Sequence, residues 1–331
     1  MSGDHGAPSS ADSVVTGPEH TPTILDGDPT ASAALGAAPL GLGLAPARSL
    51  PPRRETLHFV LRSRKLLFGL MVVLAAIMIA VLGPLLWTNP PLDYVGPAGV
   101  APGPDYPLGT TTFGQDVLSQ FVHGMGATLL VGLLGGGLAA LVGMTIGFVA
   151  GYKGGWIDEV LTMITNIVLV IPTLVVLLLI SAYLEVRGLA VEAIFIGLTS
   201  WPWAARAIRA QTFSLSSREF VDLARLSGAS TRSIIVREIA PNMASYLFMT
   251  FILLFGGAIL IAATIEFIGL GPTDGISLGL MMNNAVRWSA LPLGLWWWFI
   301  PPGLAITVVV GSLYVMNVGL DEVFNPRLRK T

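Results

Sequence analysis

The chain contains no cysteine. That excludes a disulfide framework, a thiolate metal site and a cysteine nucleophile. Histidine is scarce: His5, His20, His58 and His123 are scattered and form no H-x-x-x-H pair, so no metal centre of that kind is expected. Charge is thin as well. Asp, Glu, Lys and Arg make up 11% of the 331 residues, against about 25% in soluble domains. A phosphate-cradling G-x-x-x-x-G-K-[ST] loop is missing, so the chain does not bind and hydrolyse ATP by that route. What it has is apolar surface: 53% hydrophobic residues and a mean hydropathy of +0.73. It reads as an all-α integral membrane protein.

Residues 1–55 are rich in Ala, Pro, Gly, Ser and Asp. Their one apolar run, 31–47, is mostly Ala and Gly and is interrupted by Pro39 and Pro46, which makes it too weak to span a bilayer. No basic stretch precedes an apolar one, so a signal peptide is not expected. The segment reads as a disordered cytoplasmic tail. Residues 56–126 hold a first span and an outer loop. Residues 127–331 hold five more spans and a charged loop over 214–242.

The six predicted spans are Leu66–Trp87, Ala127–Tyr152, Ile157–Tyr183, Leu189–Ala207, Tyr246–Ile268 and Leu295–Leu320, each near the ~20 residues a bilayer requires. Pro84, Pro172 and Pro302 fall in or at the ends of them, as kinks that neighbouring helices can accommodate. With the N-terminus inside, all 18 lysines and arginines except Arg187 and Arg287 lie on the cytoplasmic side. That asymmetry predicts both termini and the charged loop inside.

The second span carries small residues at every fourth position: Gly135, Ala139, Gly143, Gly147 and Gly151. Such a stripe admits another helix closely, from this chain or from a second subunit. Trp296, Trp297 and Trp298 begin the last span and read as an interfacial aromatic belt. Glu266 is the carboxylate noted within a span, and Thr162, Thr165 and Asn166 are polar in the third. Glu266, Thr162 and Asn166 are candidates for a translocation path. The proline-rich outer segment 89–113 is expected to be rigid and unhelical, either as a contact for another protein or as a plain connector.

The loop over 214–242 is the most structured polar stretch. Ser216-x-x-Glu219 has the form of a capping box. Asp222 can pair with Arg218 or Arg225 on one helical face. Phe220, Leu223 and Leu226 recur at helical spacing, and Gly228 suits a left-handed C-terminal position. Ser230 can cap a second short helix that runs through Arg237 and stops at Pro241. Leu223, Leu226 and Ile234 offer the apolar contact, while Arg218, Asp222 and Arg225 set register. An amphipathic loop lying on lipid headgroups is the competing reading. Helix, glycine break and helix make a knob, which fits a protein socket better.

Asp222-Leu223-Ala224-x-x-x-Gly228, followed by Ile239-Ala240-Pro241, resembles the E-A-A-x-x-x-G … I-x-L-P loop of bacterial ATP-binding-cassette importer permeases. Four further segments narrow the resemblance. Pro107-Leu108-Gly109-Thr110 with Phe113-Gly114-Gln115-Asp116-Val117-Leu118-Ser119 is similar to H-P-L-G-T-D-x-x-G-R-D-V-L-S. Gly151-Tyr152-Lys153-Gly154-Gly155-Trp156-Ile157-Asp158 is similar to G-Y-x-G-G-W-x-D. Glu266-Phe267-Ile268-Gly269-Leu270-Gly271 resembles S-F-L-G-L-G, and Asn325-Pro326-Arg327-Leu328-Arg329 resembles D-P-R-L-R. These are motifs of the C-type permease subunit of the dipeptide/oligopeptide/nickel importer family. Gln115 stands where that family usually has Arg, and Asn166 where Asp is common.

The resemblance implies a type I importer permease fold of six transmembrane helices in a bacterial plasma membrane. It implies a transporter subunit, not an enzyme, with ATP and Mg held by a separate ATPase. The implied partners are a second, B-type permease, two ATPase domains in one or two chains, an extracytoplasmic substrate-binding protein and the lipid bilayer, with no nucleic acid. The ATPase-coupling residues would be Glu219, Asp222, Leu223, Ala224, Arg225, Leu226, Gly228, Ala229, Ile239 and Pro241. The implied cargo is a di- or oligopeptide, with nickel chelates, haem or glutathione-like peptides as alternatives. A secondary transporter would instead need several buried acids and an inverted repeat.

Overall fold

The computed structural model describes residues 63–184 and 187–324. The predicted tail over 1–55 and the motif Asn325–Arg329 lie outside them. Among the described residues the chain is helical, with only two isolated β-bridges, Tyr94–Gln115 and Thr110–Asp116.

Helix α1 (Arg64–Leu86) begins where the Ser63 hydroxyl accepts from the Leu66 amide. Helix α2 (Val117–Lys153) is 37 residues long and starts ten residues before the predicted span. The reason is Asp116, whose carboxylate accepts from the amides of Leu118 and Ser119 and fixes an N-terminus inside a polar stretch that hydropathy alone misses. The third predicted span is two helices, α3 (Gly155–Val170) and α4 (Thr173–Tyr183), bent by 73°. Ile171 is extended and Pro172 precedes α4. A proline disfavours the helical conformation in the residue before it, so the helix ends there. The fourth is also broken, into α5 (Leu189–Ser200) and α6 (Pro202–Ser216), with Pro202 at the first helical position. Helix α7 (Glu219–Leu226) and a short helical stretch lead to α8 (Ala244–Phe267), α9 (Leu278–Arg287) and α10 (Trp296–Phe324).

Six spans were expected, with Pro84, Pro172 and Pro302 as tolerated kinks. Four described helices are long and apolar enough to cross a membrane, α1, α2, α8 and most of α10, and a fifth if the bent pair counts as one. Helix α9 was not anticipated. Its cap is Ser277, which accepts from the Leu280 amide.

The glycine stripe of α2 is buried by this chain itself. A Cβ at Gly135 would meet Ala193 and Ile196 of α5. At Gly143, Gly147 and Gly151 it would meet Ala204, Ala205 and Arg209 of α6. Gly136, on another face, lies against α8: a Cβ there would sit 2.7 Å from the Phe255 Cα. Helix α2 is therefore wrapped by α5, α6 and α8. A larger apolar cluster joins α1, α2, α8 and α10 through residues such as Val73, Leu129, Ile259 and Leu313.

The proline-rich segment over 89–113 is tied down. Asp116 accepts from the Trp87 indole and from Asn89 (3.1 Å), the Ser119 hydroxyl donates to the Asn89 carbonyl, and Gln120 donates to the Pro91 carbonyl at 3.1 Å. The three tryptophans do not form one belt. Trp296 is exposed, but Trp297 and Trp298 are buried and donate to the Thr110 carbonyl and to Gln120 Oε1, each at 3.1 Å. A buried indole N–H needs an acceptor, and the segment over 89–113 supplies one through Thr110 and the first turns of α2 the other through Gln120.

Candidate functional site

Helix α6 ends at Ser216, and Arg218 adopts an extended conformation before α7. The predicted capping box does not form: α7 has no side-chain cap, and the Ser216 hydroxyl donates back to the Phe213 carbonyl at 2.8 Å. The first turn of α7 still carries Glu219 and Asp222, and its last turn Arg225, in the sense that favours the helix dipole.

The helix is sharply two-faced. Val221 is fully buried in a cluster with Ile208, Ile234, Ile239 and Met243, against which Phe220, Ala224 and Ala229 pack. Leu223 and Leu226 are 64% and 85% exposed. Ile234 therefore belongs to the support of the knob and not to its contact surface, contrary to expectation. Phe220 is likewise half-buried, so the outward apolar ridge is Leu223 and Leu226 alone.

Gly228 has φ +77°. Its amide donates to the Arg225 carbonyl (3.0 Å), and the Ala229 amide to the Ala224 carbonyl (3.1 Å). This pair of bonds closes α7 in the Schellman arrangement, which requires a left-handed residue at that position. The Ser230 hydroxyl then accepts from the Ser233 amide, and the second helical stretch runs as Thr231–Ser233, a π-helix Ile234–Ile239, and Ala240–Asn242. Pro241 has no N–H and its ring crowds the preceding turn, which accounts for the widening just before it. Ile239 is buried and Pro241 exposed.

Asp222 pairs with Arg225 (3.0 Å) and not with Arg218. Arg225 also reaches back to α2: its Nε donates to the Tyr152 hydroxyl at 3.4 Å, and its guanidinium lies 5.2 Å from the Tyr152 ring centroid. The hydrogen bond to Tyr152, with the Asp222 carboxylate nearby, holds the Arg225 pKa above its ordinary value. Sequence reading had not linked Tyr152 to the loop, because the contact joins residues 73 positions apart.

A second feature lies between α2, α3 and α6. Arg209 donates from Nε and Nη2 to the two carboxylate oxygens of Asp158, the latter at 2.6 Å. Thr162 donates to Asp158 (3.2 Å), and Arg206 Nη2 donates to Asn166 Oδ1 at 2.7 Å. Thr162, Asn166, Arg206 and Arg209 border a cleft of about 310 Å³ whose other walls are Ile146, Ala150, Leu161, Thr165 and Ala205. Thr162 and Asn166 are thus brought together. Glu266 is not: it is fully buried, with Gly271 and Gly279 against its side chain. Glu192 of α5, a further acid within a predicted span that the sequence reading did not single out, lines a small pocket with Ile265, Leu270 and Gly271 beside it. The cleft had a readable signal, since Asp158, Thr162 and Asn166 are spaced i, i+4, i+8 on α3, and Arg206 and Arg209 i, i+3 on α6.

Residues 143–330 match the family described as "Binding-protein-dependent transport system inner membrane component". The chain belongs to that family. It is 32% identical over 278 residues to a protein of Brucella suis named as a peptide transport system permease, covering 83% of this chain and 92% of the relative. It is 30% identical over 289 residues to the dipeptide transport system permease protein DppC of Alkalihalophilus pseudofirmus, covering 85% and 92%. It is 29% identical over 264 residues to DppC of Bacillus subtilis, covering 79% and 82%. The matched family segment takes in both the loop over 214–242 and the α3–α6 cleft. As a permease subunit of an inner-membrane transport system, the chain leaves ATP hydrolysis to separate subunits.

Proposed function

We propose that this chain forms half of the translocation pore of an ATP-driven importer of di- or oligopeptides and receives the ATPase stroke through the loop over 214–242. It crosses the membrane six times with both termini cytoplasmic, the broken α3–α4 and α5–α6 pairs serving as the third and fourth crossings. A B-type permease completes the pore, two ATPase domains sit beneath it, and a binding protein delivers cargo from outside.

The observation that carries the reading is the exposure of Leu223 and Leu226 on a helix whose opposite face is locked into the core. A loop that only connected spans would bury or shed such residues. A loop that transmits movement needs both a contact surface and a rigid seat. Val221, the Schellman closure and the Arg225–Tyr152 contact supply the seat.

Gly228→Pro with Asp222→Lys tests the reading. Proline fixes φ near −65°, whereas Gly228 needs +77°. The expected outcome is normal membrane insertion, loss of the ATPase on affinity purification and loss of peptide uptake in cells. Unchanged uptake refutes the assignment of the loop. An ATPase that never co-purifies with the wild-type permease pair refutes the importer reading itself.

A further inference from the structure

We propose that the cleft between α3 and α6 is a station for the C-terminal carboxylate of the peptide, with Arg206 as its anchor and Asn166 as a second donor. The inference rests on the peptide-importer reading above. Two arginines border the cleft, and they are not equivalent. Arg209 is neutralised by a two-point contact with Asp158. Arg206 makes one bond, to the neutral oxygen of Asn166, and among the described residues no carboxylate pairs with it. A guanidinium has five N–H donors in a fork that matches a carboxylate, so most of the capacity of Arg206 is unspent. The Asn166 amide, with its oxygen taken by Arg206, has an NH₂ to offer.

The surroundings suit a passing peptide end. Ile146, Ala150, Leu161 and Ala205 make apolar walls, Thr162 and Thr165 add polar edges, and the volume of about 310 Å³ is at the small end of ligand sites. That is room for a terminal residue and not for a whole oligopeptide. Every peptide ends in a carboxylate whatever its sequence, so such a station grips cargo without selecting side chains. Position agrees: Gly155 opens α3 directly after the cytoplasmic Lys153, and α6 runs straight into the coupling loop. Asn166 is uncharged, and a neutral amide bonded to Arg206 leaves the guanidinium's charge unmatched.

The test uses the assembled importer, with both permeases, ATPases and binding protein, in proteoliposomes. Trialanine is the cargo, since it has no acidic side chain, and trialanine amide is the control, each at saturating binding protein. Arg206→Gln and Asn166→Asp are each expected to cut trialanine uptake about tenfold, while Arg206→Lys stays within about threefold of wild type. Uptake of the amide is expected to change less than twofold in all three. The Asn166→Asp arm separates site from scaffold: an added carboxylate strengthens any structural tie to Arg206 but occupies the anchor that cargo needs. Retained or raised trialanine uptake in Asn166→Asp overturns the proposal. So does an equal loss for acid and amide in Arg206→Gln, or release of the second permease from that variant, which would make Arg206 a subunit contact. If the wild-type importer takes up no peptide, the peptide reading fails first and the station falls with it.

Discussion

Truncating Leu226 to alanine removes three carbons from a side chain that is 85% exposed at the end of α7, and Leu223→Ala does the same at 64% exposure. Each buried carbon is worth about 0.8 kcal/mol, so a fully docked leucine loses ~2.4 kcal/mol. Only surface still open in the free permease can be gained on docking. Scaling by exposure leaves ~2 kcal/mol for Leu226 and ~1.5 kcal/mol for Leu223. At 1.4 kcal/mol per tenfold, ATPase affinity should fall about 30-fold and about 12-fold, and a few hundredfold in the double variant. Stability should hardly move, because both side chains already face outward. The buried Ile234, 1% exposed, provides the inverse case: Ile234→Ala should cost ~2–5 kcal/mol of stability while the remaining folded protein docks less well only through a loosened seat. The assay is titration of the ATPase onto the permease pair in nanodiscs, with thermal unfolding of each variant alongside. A double variant that binds the ATPase as tightly as wild type refutes the argument. So does one whose weaker binding is matched by a lower unfolding temperature.

Gly136 and Gly137 offer a paired test of helix packing. A Cβ at Gly136 would press on the α8 backbone, while one at Gly137 meets nothing within 4 Å. Gly136→Ala should therefore be less stable than Gly137→Ala by ~1–3 kcal/mol of overpacking, read by unfolding in detergent, and equal stabilities would discount the close α2–α8 approach. Trp298→Phe removes the indole that donates to Gln120 Oε1 and strands a buried acceptor, so ~1–3 kcal/mol should be lost, read by the same unfolding measurement; an unchanged midpoint would show that the bond contributes nothing. Glu266 is fully buried and makes no ion pair among the described residues. Glu266→Gln should leave the unfolding temperature unchanged or raise it, since an uncompensated acid is costly there; a marked drop would show that the carboxylate holds the α8–α9 contact.

Much of this architecture was legible in the sequence, for identifiable reasons. Long apolar runs announced α1, α8 and α10, and the i, i+4 glycine period announced the face on which α5 and α6 close over α2. Asp222–Arg225 and the left-handed Gly228 followed from local spacing and backbone preference. What local pattern could not show was which way a residue faces. Phe220, Leu223 and Leu226 share a helical period with Val221 between them, and only the packing of Ile208, Ile239 and Met243 decides that Val221 points inward. Trp297 and Trp298 resembled a belt because their acceptors, Thr110 and Gln120, lie 187 and 178 residues away. The capping box at Ser216 failed because α6 runs through that residue and claims its hydroxyl.

The knot of bonds around Asp116 has a mechanical meaning. It fastens the C-terminal end of α1 to the start of α2 through Trp87 and Asn89, while the far end of α2 carries Tyr152 beneath Arg225. A helix of 37 residues is about 55 Å long at 1.5 Å per residue. Because α5 and α6 pack along its glycine face, any tilt of α2 must carry them with it, and over that length ~5° displaces one end by ~5 Å relative to the other. The bonds at Asp116 and the Arg225–Tyr152 contact are then the two ends of one strut.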